Sequence, residues 1–203
     1  MKGVTNTPRG EDATLEKIVA GAFATLTGRD GQPIRYTLMT DTPVGTIGLA
    51  AGEAGLCRLN YVRDEDHFVA GILEMFGDRP VMRSDALDPA RRQLDRYFSG
   101  KKLTFDMPVD LSTVSGFSRK VLEASTRIPV GQVLSYGQIA AKAGNARASR
   151  AAGNALHNNP IAIVVPCHRI LRSDGSVGGY GGGPTVKEWL LKHEGVLPAD
   201  TIG

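Results

Sequence analysis

Cys167 and His168 stand side by side in the run Pro166-Cys167-His168-Arg169. A thiol next to an imidazole suits covalent chemistry at sulfur. The thiolate is the nucleophile, and a nearby base raises its population. The same pair also fits a buried cysteine with a packing role only, because free cysteine is among the most buried residue types. These four residues alone leave both readings open. The five apolar residues before them, Ile161 to Val165, read as a short buried strand. Pro166 then fixes φ and ends strand pairing. Glu194 supplies a third group. It lies at the C-terminal end of the last predicted helix, where the helix dipole disfavours an anion. A carboxylate there needs a partner, and His168 is the candidate.

The elements that must position these groups fall into two halves. In the first, spacing predicts a helix over Glu11–Leu26, strands over Arg35–Met39 and Gly45–Ala51, and a turn at Glu53-Ala54-Gly55 into a strand over Leu56–Val62. Helices over Asp64–Phe76 and Asp88–Phe98 follow, then a strand over Lys101–Val109. This half reads as a small α+β domain without recognisable chemistry. Cys57 lies among apolar strand neighbours and is given no catalytic role. The polar stretch 110–115 is the boundary. It divides the chain into an N-terminal extension with one helix over 1–33, an α+β domain over 34–112 and a C-terminal domain over 113–203.

The second half is mostly helical. Phe117–Arg127 reads as a helix. Ser135 and Gln138 form a capping-box pattern that opens a short helix to Ala143, and Gly144-Asn145 stops it. A further helix from Ala146 to about His157 completes a helix-turn-helix candidate. Ala148, Ser149, Ala151, Ala152, Gly153 and Ala155 leave little bulk on that helix, so its backbone could approach a partner helix or a DNA backbone. Arg150 stands as the long side chain among these small residues, suited to a phosphate or to insertion into a duplex, or to plain solvation. The loop Gly178–Gly183 lacks the Lys-Ser/Thr of a phosphate loop. Pro184 opens the last helix and Gly195 stops it.

Bulk properties narrow the class. Among 203 residues there are only two cysteines, far apart, which fits free thiols in a reducing compartment. No run reaches membrane-spanning length and no signal core is evident, so the expectation is a cytoplasmic protein. The four histidines and two cysteines have no metal-ligand spacing, so a structural zinc site has no support. Residues 114–195 carry ten Lys/Arg against four Asp/Glu, a net of +6, while the remainder carries −3. A basic half around a thiol points to an anionic partner such as nucleic acid.

The residues Ile128-Pro129, Gly131, Ser135-Tyr136, Ala140, Gly144, Arg150-Ala151, Asn159-Pro160, Pro166-Cys167-His168-Arg169, Gly178-Gly179-Tyr180, Lys187, Leu190-Leu191 and Glu194-Gly195, in that order, closely resemble the O6-alkylguanine-DNA alkyltransferases, also called methylated-DNA–protein-cysteine methyltransferases. The resemblance is dense over Phe117–Gly195. It is weaker before, through Thr42-Pro43-Val44-Gly45 and Leu94–Gly100. It implies an α+β protein: a ribonuclease-H-like N-terminal domain followed by a helical winged helix-turn-helix domain that binds DNA and carries the alkyl acceptor. It implies direct repair of double-stranded DNA by a monomer, which transfers an alkyl group from O6-alkylguanine to Cys167 once and without a cofactor. The resemblance gives His168, acting through a water and oriented by Glu194, the thiol proton. Tyr136 donates toward the leaving guanine, and Asn159 holds the turn between the DNA-reading helix and Cys167. Arg150 fills the gap left by a flipped nucleotide, since a stacked base cannot meet a protein thiol. The carbonyls of Cys167 and Ile170 accept from the guanine edge, and Tyr180 and Gly181 wall the pocket. Ser135, Ala151, Gly153, Arg169 and Lys187 complete the DNA- or substrate-binding set.

The chain departs from the family pattern in places. Phe117–Leu122 lacks the Gln and Trp of the Phe-Gln-x-x-Val-Trp pattern. The loop after Tyr180 is all glycine to 183, so only backbone N–H groups are offered there, and Ala162 is small at the pocket edge. The metal site of some members' first domain is not supported. Two other classes compete. One is a lesion-recognising helix-turn-helix binder or regulator without transfer; the other is an unrelated thiol hydrolase. The retained cysteine and the basic second half favour transfer.

Overall fold

The computed structural model of the chain describes residues 31–77 and 79–198; the helix expected over 11–26 lies outside the described residues. Strands β1 (Ile34–Met39), β2 (Ile47–Gly52), β3 (Gly55–Tyr61) and β4 (Val81–Arg83) form one sheet in the order β3-β2-β1-β4. The first three are antiparallel, and β4 joins parallel to β1. β4 has no counterpart in the sequence reading. Three mostly exposed residues are too few to show a two-residue period.

The two faces of the sheet bury different side chains. Ile34, Ala50 and Cys57 pack under Phe68 and Ile72 of α1 (Glu65–Phe76). Ile47, Leu49, Leu56 and Leu59 face the other way, toward Leu94 and Tyr97 of α2 (Asp88–Phe98). Asp64 caps α1 by accepting from the His67 backbone at 2.7 Å. The stretch 101–109 was expected as a strand. It joins the sheet only at the bridge Leu56–Val109, because Pro108 has no N–H to extend a ladder.

The second domain comprises α3 (Gly116–Ser125), β5 (Leu134–Ser135), α4 (Tyr136–Lys142), α5 (Ser149–His157), β6 (Ile170–Leu171) and α6 (Pro184–His193). The capping box forms as read. Ser135 Oγ accepts from Gln138 N, and Gln138 Oε1 accepts from Ser135 N. Helix α5 begins three residues later than expected. Asn145 Oδ1 accepts from Arg147 N at 3.1 Å and closes a turn that keeps 145–147 out of the helix. Among the described residues, no helix is long and apolar enough to cross a membrane.

The run 161–165 is not a strand. Ile161 makes one parallel bridge to Leu59, and the chain then turns. Its backbone groups pair locally instead, Val165 N to Ile161 O at 2.9 Å and Val164 N to Ala162 O at 2.8 Å. The period was misleading because every residue except the half-buried Val164 is buried whichever way the chain turns. Ile163 has φ +70°, a left-handed value that costs a β-branched residue about 1–3 kcal/mol. The surrounding core holds it there.

One core runs through both domains, joining Leu59 and Tyr97 to Ile161, Val165 and Leu190. The outer edge of β3 is the seam. Leu59 N donates to Pro160 O, and Ala162 N donates to Leu59 O, both at 2.8 Å. A sheet edge that would otherwise expose unpaired backbone groups is thereby covered. The segment leading to Cys167 is thus fixed to the first domain.

Candidate active site

Cys167 opens a single 3-10 turn, Cys167–Arg169, directly after the buried turn. It is 7% exposed. Asn159, at the end of the helix-turn-helix, reaches three groups at once. Its Nδ2 donates to Val165 O at 2.9 Å and to Cys167 Sγ at 3.1 Å, and its Oδ1 accepts from Ile161 N at 3.0 Å. One side chain therefore sets both the turn and the sulfur. Burial pushes the Cys167 thiol up, opposed by the Asn159 amide and the Lys187 ammonium. At neutral pH sulfur is a thiol that needs a base.

The imidazole next to it has a fully buried partner. His168 Nε2 lies 3.0 Å from Glu194 Oε1, and both side chains are fully buried. Burial lowers the imidazole below its ordinary value against the pull of Glu194, so it is neutral near pH 7. A carboxylate accepting at Nε2–H leaves Nδ1 as the basic nitrogen, and Nδ1 has no protein partner. Glu194 accepts further bonds: Tyr97 Oη–H at 2.8 Å, Arg169 Nη2–H at 2.8 Å on the same oxygen, and Arg169 Nε–H at 2.7 Å on the other. Burial alone would raise this carboxyl. The bonds from Arg169 and His168 overcome it and hold the value at about 2.

Arg169 therefore corrects the reading of it as a DNA or substrate contact. Its guanidinium is buried on Glu194 and on the Ile128 carbonyl. Lys187 requires the same correction. It is 1% exposed, and its ammonium donates to the Ile170 and Val177 carbonyls. Burial lowers it to about 8, and Cys167 is the leading charge that opposes this. Lys187 lies within electrostatic range of the thiol rather than on the surface. Ile170 is fully buried, and its carbonyl accepts from the Lys187 ammonium. The Ser135 hydroxyl is engaged in the cap of α4.

The other predicted residues divide by position. Arg150 and Ala151 are exposed near the start of α5. Gly153 is half-buried and faces the Tyr136 ring, since a β-carbon there would lie 3.7 Å from it. Burial raises the Tyr136 phenol, Arg172 lowers it, and Cys167 raises it again, so the phenol is within electrostatic range of the sulfur. A cleft of about 400 Å³ opens over Cys167, with Asn159, Tyr180 and Gly181 in its lining. Tyr136, Ser135 and Arg150 do not line it. Among the described residues, no group of three or more His, Cys, Asp or Glu could hold a metal.

Two functional neighbours were not singled out from sequence. Tyr61 ends β3 and shares the cleft with Cys167. Tyr97 reads as a core position of α2, but its hydroxyl bonds Glu194. A buried tyrosine usually finds a partner for its O–H, and that rule was the available signal.

These features define a two-domain protein in which a helix-turn-helix leads, through one asparagine, to a buried thiol backed by an imidazole–carboxylate pair. The family model for the ribonuclease-like domain of 6-O-methylguanine DNA methyltransferase matches residues 34–111, and that for its DNA binding domain matches residues 116–196. Methylated-DNA–protein-cysteine methyltransferases of Methanosarcina acetivorans and Homo sapiens are 38% and 36% identical to it, spanning 79% and 82% of this chain and 98% and 83% of theirs. A crystal structure of Mycobacterium tuberculosis OGT in complex with DNA superposes with a TM-score of 0.67 at 34% identity, covering 82% of this chain and 96% of that one. The chain belongs to the methylated-DNA–protein-cysteine methyltransferase family, and its second domain is a DNA-binding domain.

Proposed function

We propose that this protein repairs double-stranded DNA directly, acting as a cytoplasmic monomer without a cofactor. It transfers an alkyl group from guanine O6 to Cys167, once per molecule. The observation that carries this reading is the buried Glu194–His168 pair beside a buried thiol.

His168 Nδ1 takes the thiol proton through a water, because the protein partner of Cys167 Sγ is Asn159 rather than the imidazole. The resulting imidazolium is stabilised by Glu194. The thiolate attacks the alkyl carbon. An S–C bond forms, the C–O6 bond breaks, and its electron pair goes to guanine. A proton equivalent to the one lost by sulfur ends on the guanine, with Tyr136 donating toward it. Lys187 stabilises the thiolate from the α6 side. The base must leave the stack to meet a sulfur this buried, which assigns α5 to the duplex and Arg150 to the space the base leaves. Ala151 and Gly153 keep that helix slim. The carbonyls of Cys167 and Ile170 read the guanine edge, and Tyr180 and Gly181 form the facing wall.

A lesion-binding regulator without transfer has no use for a base and orienting carboxylate buried behind the thiol. The test is stoichiometry with duplex DNA containing O6-methylguanine. The expected result is one methyl group taken up per protein molecule, with the guanine restored and none taken up by Cys167→Ala. Repeated turnover, or equal repair by Cys167→Ala, would contradict the proposal.

A further inference from the structure

The wall opposite Cys167 is made of a segment with almost no side chains. Of residues 178–183, only Tyr180 is not glycine. Glycine leaves a backbone the widest conformational freedom, so the position of such a loop depends on whatever anchors it from outside. Its anchor is in the other domain. Tyr61, the last residue of β3, places its hydroxyl 2.9 Å from that of Tyr180. The two rings meet edge to face, with centroids 5.8 Å apart. The Tyr61 ring also fills the space above Gly182, where a β-carbon would come within 2.7 Å of it. Tyr61 is itself held rigid, because β3 is hydrogen-bonded on one side to β2 and on the other to the segment that leads to Cys167. One strand therefore fixes both the sulfur's side of the cleft and the facing wall.

We infer that Tyr61, a residue of the first domain, is a positioning and specificity-determining residue for alkyl transfer. Through Tyr180 and Gly182 it sets the gap between the glycine-rich wall and Cys167, and so the size of alkyl group that reacts best. This rests on the transfer proposed above. With the hydroxyl pair intact the gap is fixed and a methyl group is held against sulfur. Without it the wall relaxes outward, which disfavours a small group and tolerates a bulky one.

The experiment compares wild type, Tyr61→Phe, Tyr180→Phe and the double variant. Phenylalanine keeps the ring over Gly182 and removes only the oxygen. Rates are measured with duplex O6-methylguanine and with the free base O6-benzylguanine. The expected result for Tyr61→Phe is a methyl rate about fivefold lower, the equivalent of one hydrogen bond or about 1 kcal/mol. The benzyl rate is undiminished, so the benzyl-to-methyl ratio rises about fivefold. In the Tyr180→Phe background, Tyr61→Phe adds nothing. Equal slowing of both substrates, or additive effects in the double variant, would overturn the inference. Amide hydrogen exchange over 178–183 supplies an arm that does not depend on transfer, with faster exchange expected in Tyr61→Phe. Faster exchange in a protein whose wild type transfers no alkyl group would support the wall-holding role while refuting the proposed function. Unchanged exchange would refute the wall-holding role.

Discussion

Glu194→Gln is the substitution that probes the buried network most sharply. The change is nearly isosteric, so packing is preserved. An amide oxygen at the Oε1 position still accepts from Tyr97, His168 and Arg169 Nη2. The amide N–H₂ then occupies the Oε2 position, where it meets Arg169 Nε–H donor to donor. The guanidinium, with its side chain 8% exposed, loses its carboxylate partner. Removing one partner of a buried ion pair costs about 3–5 kcal/mol. The depression of the carboxyl from 4.5 to about 2 gives a matching figure, about 3 kcal/mol at roughly 1.4 kcal/mol per unit. For a chain of this size the melting temperature should drop by roughly 10 °C. Because the folded-state value is the lower one, this stabilisation is complete above about pH 4.5 and disappears as pH falls through about 2. Urea unfolding followed by the fluorescence of the single tryptophan, Trp189, at a series of pH values measures it. A wild-type advantage below about 1 kcal/mol at neutral pH would refute the reasoning, since that is the scale of an exposed pair. So would an advantage of undiminished size at pH about 2.5, where protonation should have removed most of it.

Further outcomes follow from the same geometry. Arg150→Ala should slow repair in duplex DNA more than transfer from the free alkylated base; equal losses on both substrates would remove its role in flipping. Asn159→Ala leaves Ile161 N unpaired in the core, removes one of the two donors to Val165 O and frees the sulfur, so thermal unfolding should show a loss of about 1–3 kcal/mol, with transfer slowed beyond what stability explains. His168 is lowered from 6.5 by burial, so its neutral, active form persists below pH 6.5. The unfolded chain protonates first, so stability declines as pH falls below about 6.5 while transfer continues. In His168→Gln that part of the stability profile should flatten.

What could be read from the sequence was what depends on near neighbours. The capping box at Ser135 and Gln138 is complete within four residues and forms as read. The pairing of Glu194 with His168 was legible because an anion at a helix C-terminus needs compensation. Arg169 was misread. In a basic half and next to the thiol it looks like a phosphate contact, and only the fold shows that Glu194 and the Ile128 carbonyl enclose it. Lys187 was misread for the same reason: its partners are backbone carbonyls, which no sequence pattern marks. The run 161–165 misled because an apolar stretch reports burial, not conformation. What makes it a turn is the side chain of Asn159, which takes backbone bonds a strand would have made with a neighbour. The contributions of Tyr61 and Tyr97 were hidden because each arises from one domain and acts in the other.

The central claim is that Cys167 is the alkyl acceptor. Mass spectrometry of the digested protein after reaction with duplex O6-methylguanine tests it most directly. The account predicts that the peptide containing Cys167 gains the mass of one methylene, while the peptide containing Cys57, a thiol bonded to the Ala50 carbonyl and pushed up to about 11 by burial, is unchanged. A methylated Cys57 peptide, or restored guanine with Cys167 unmodified, would contradict it.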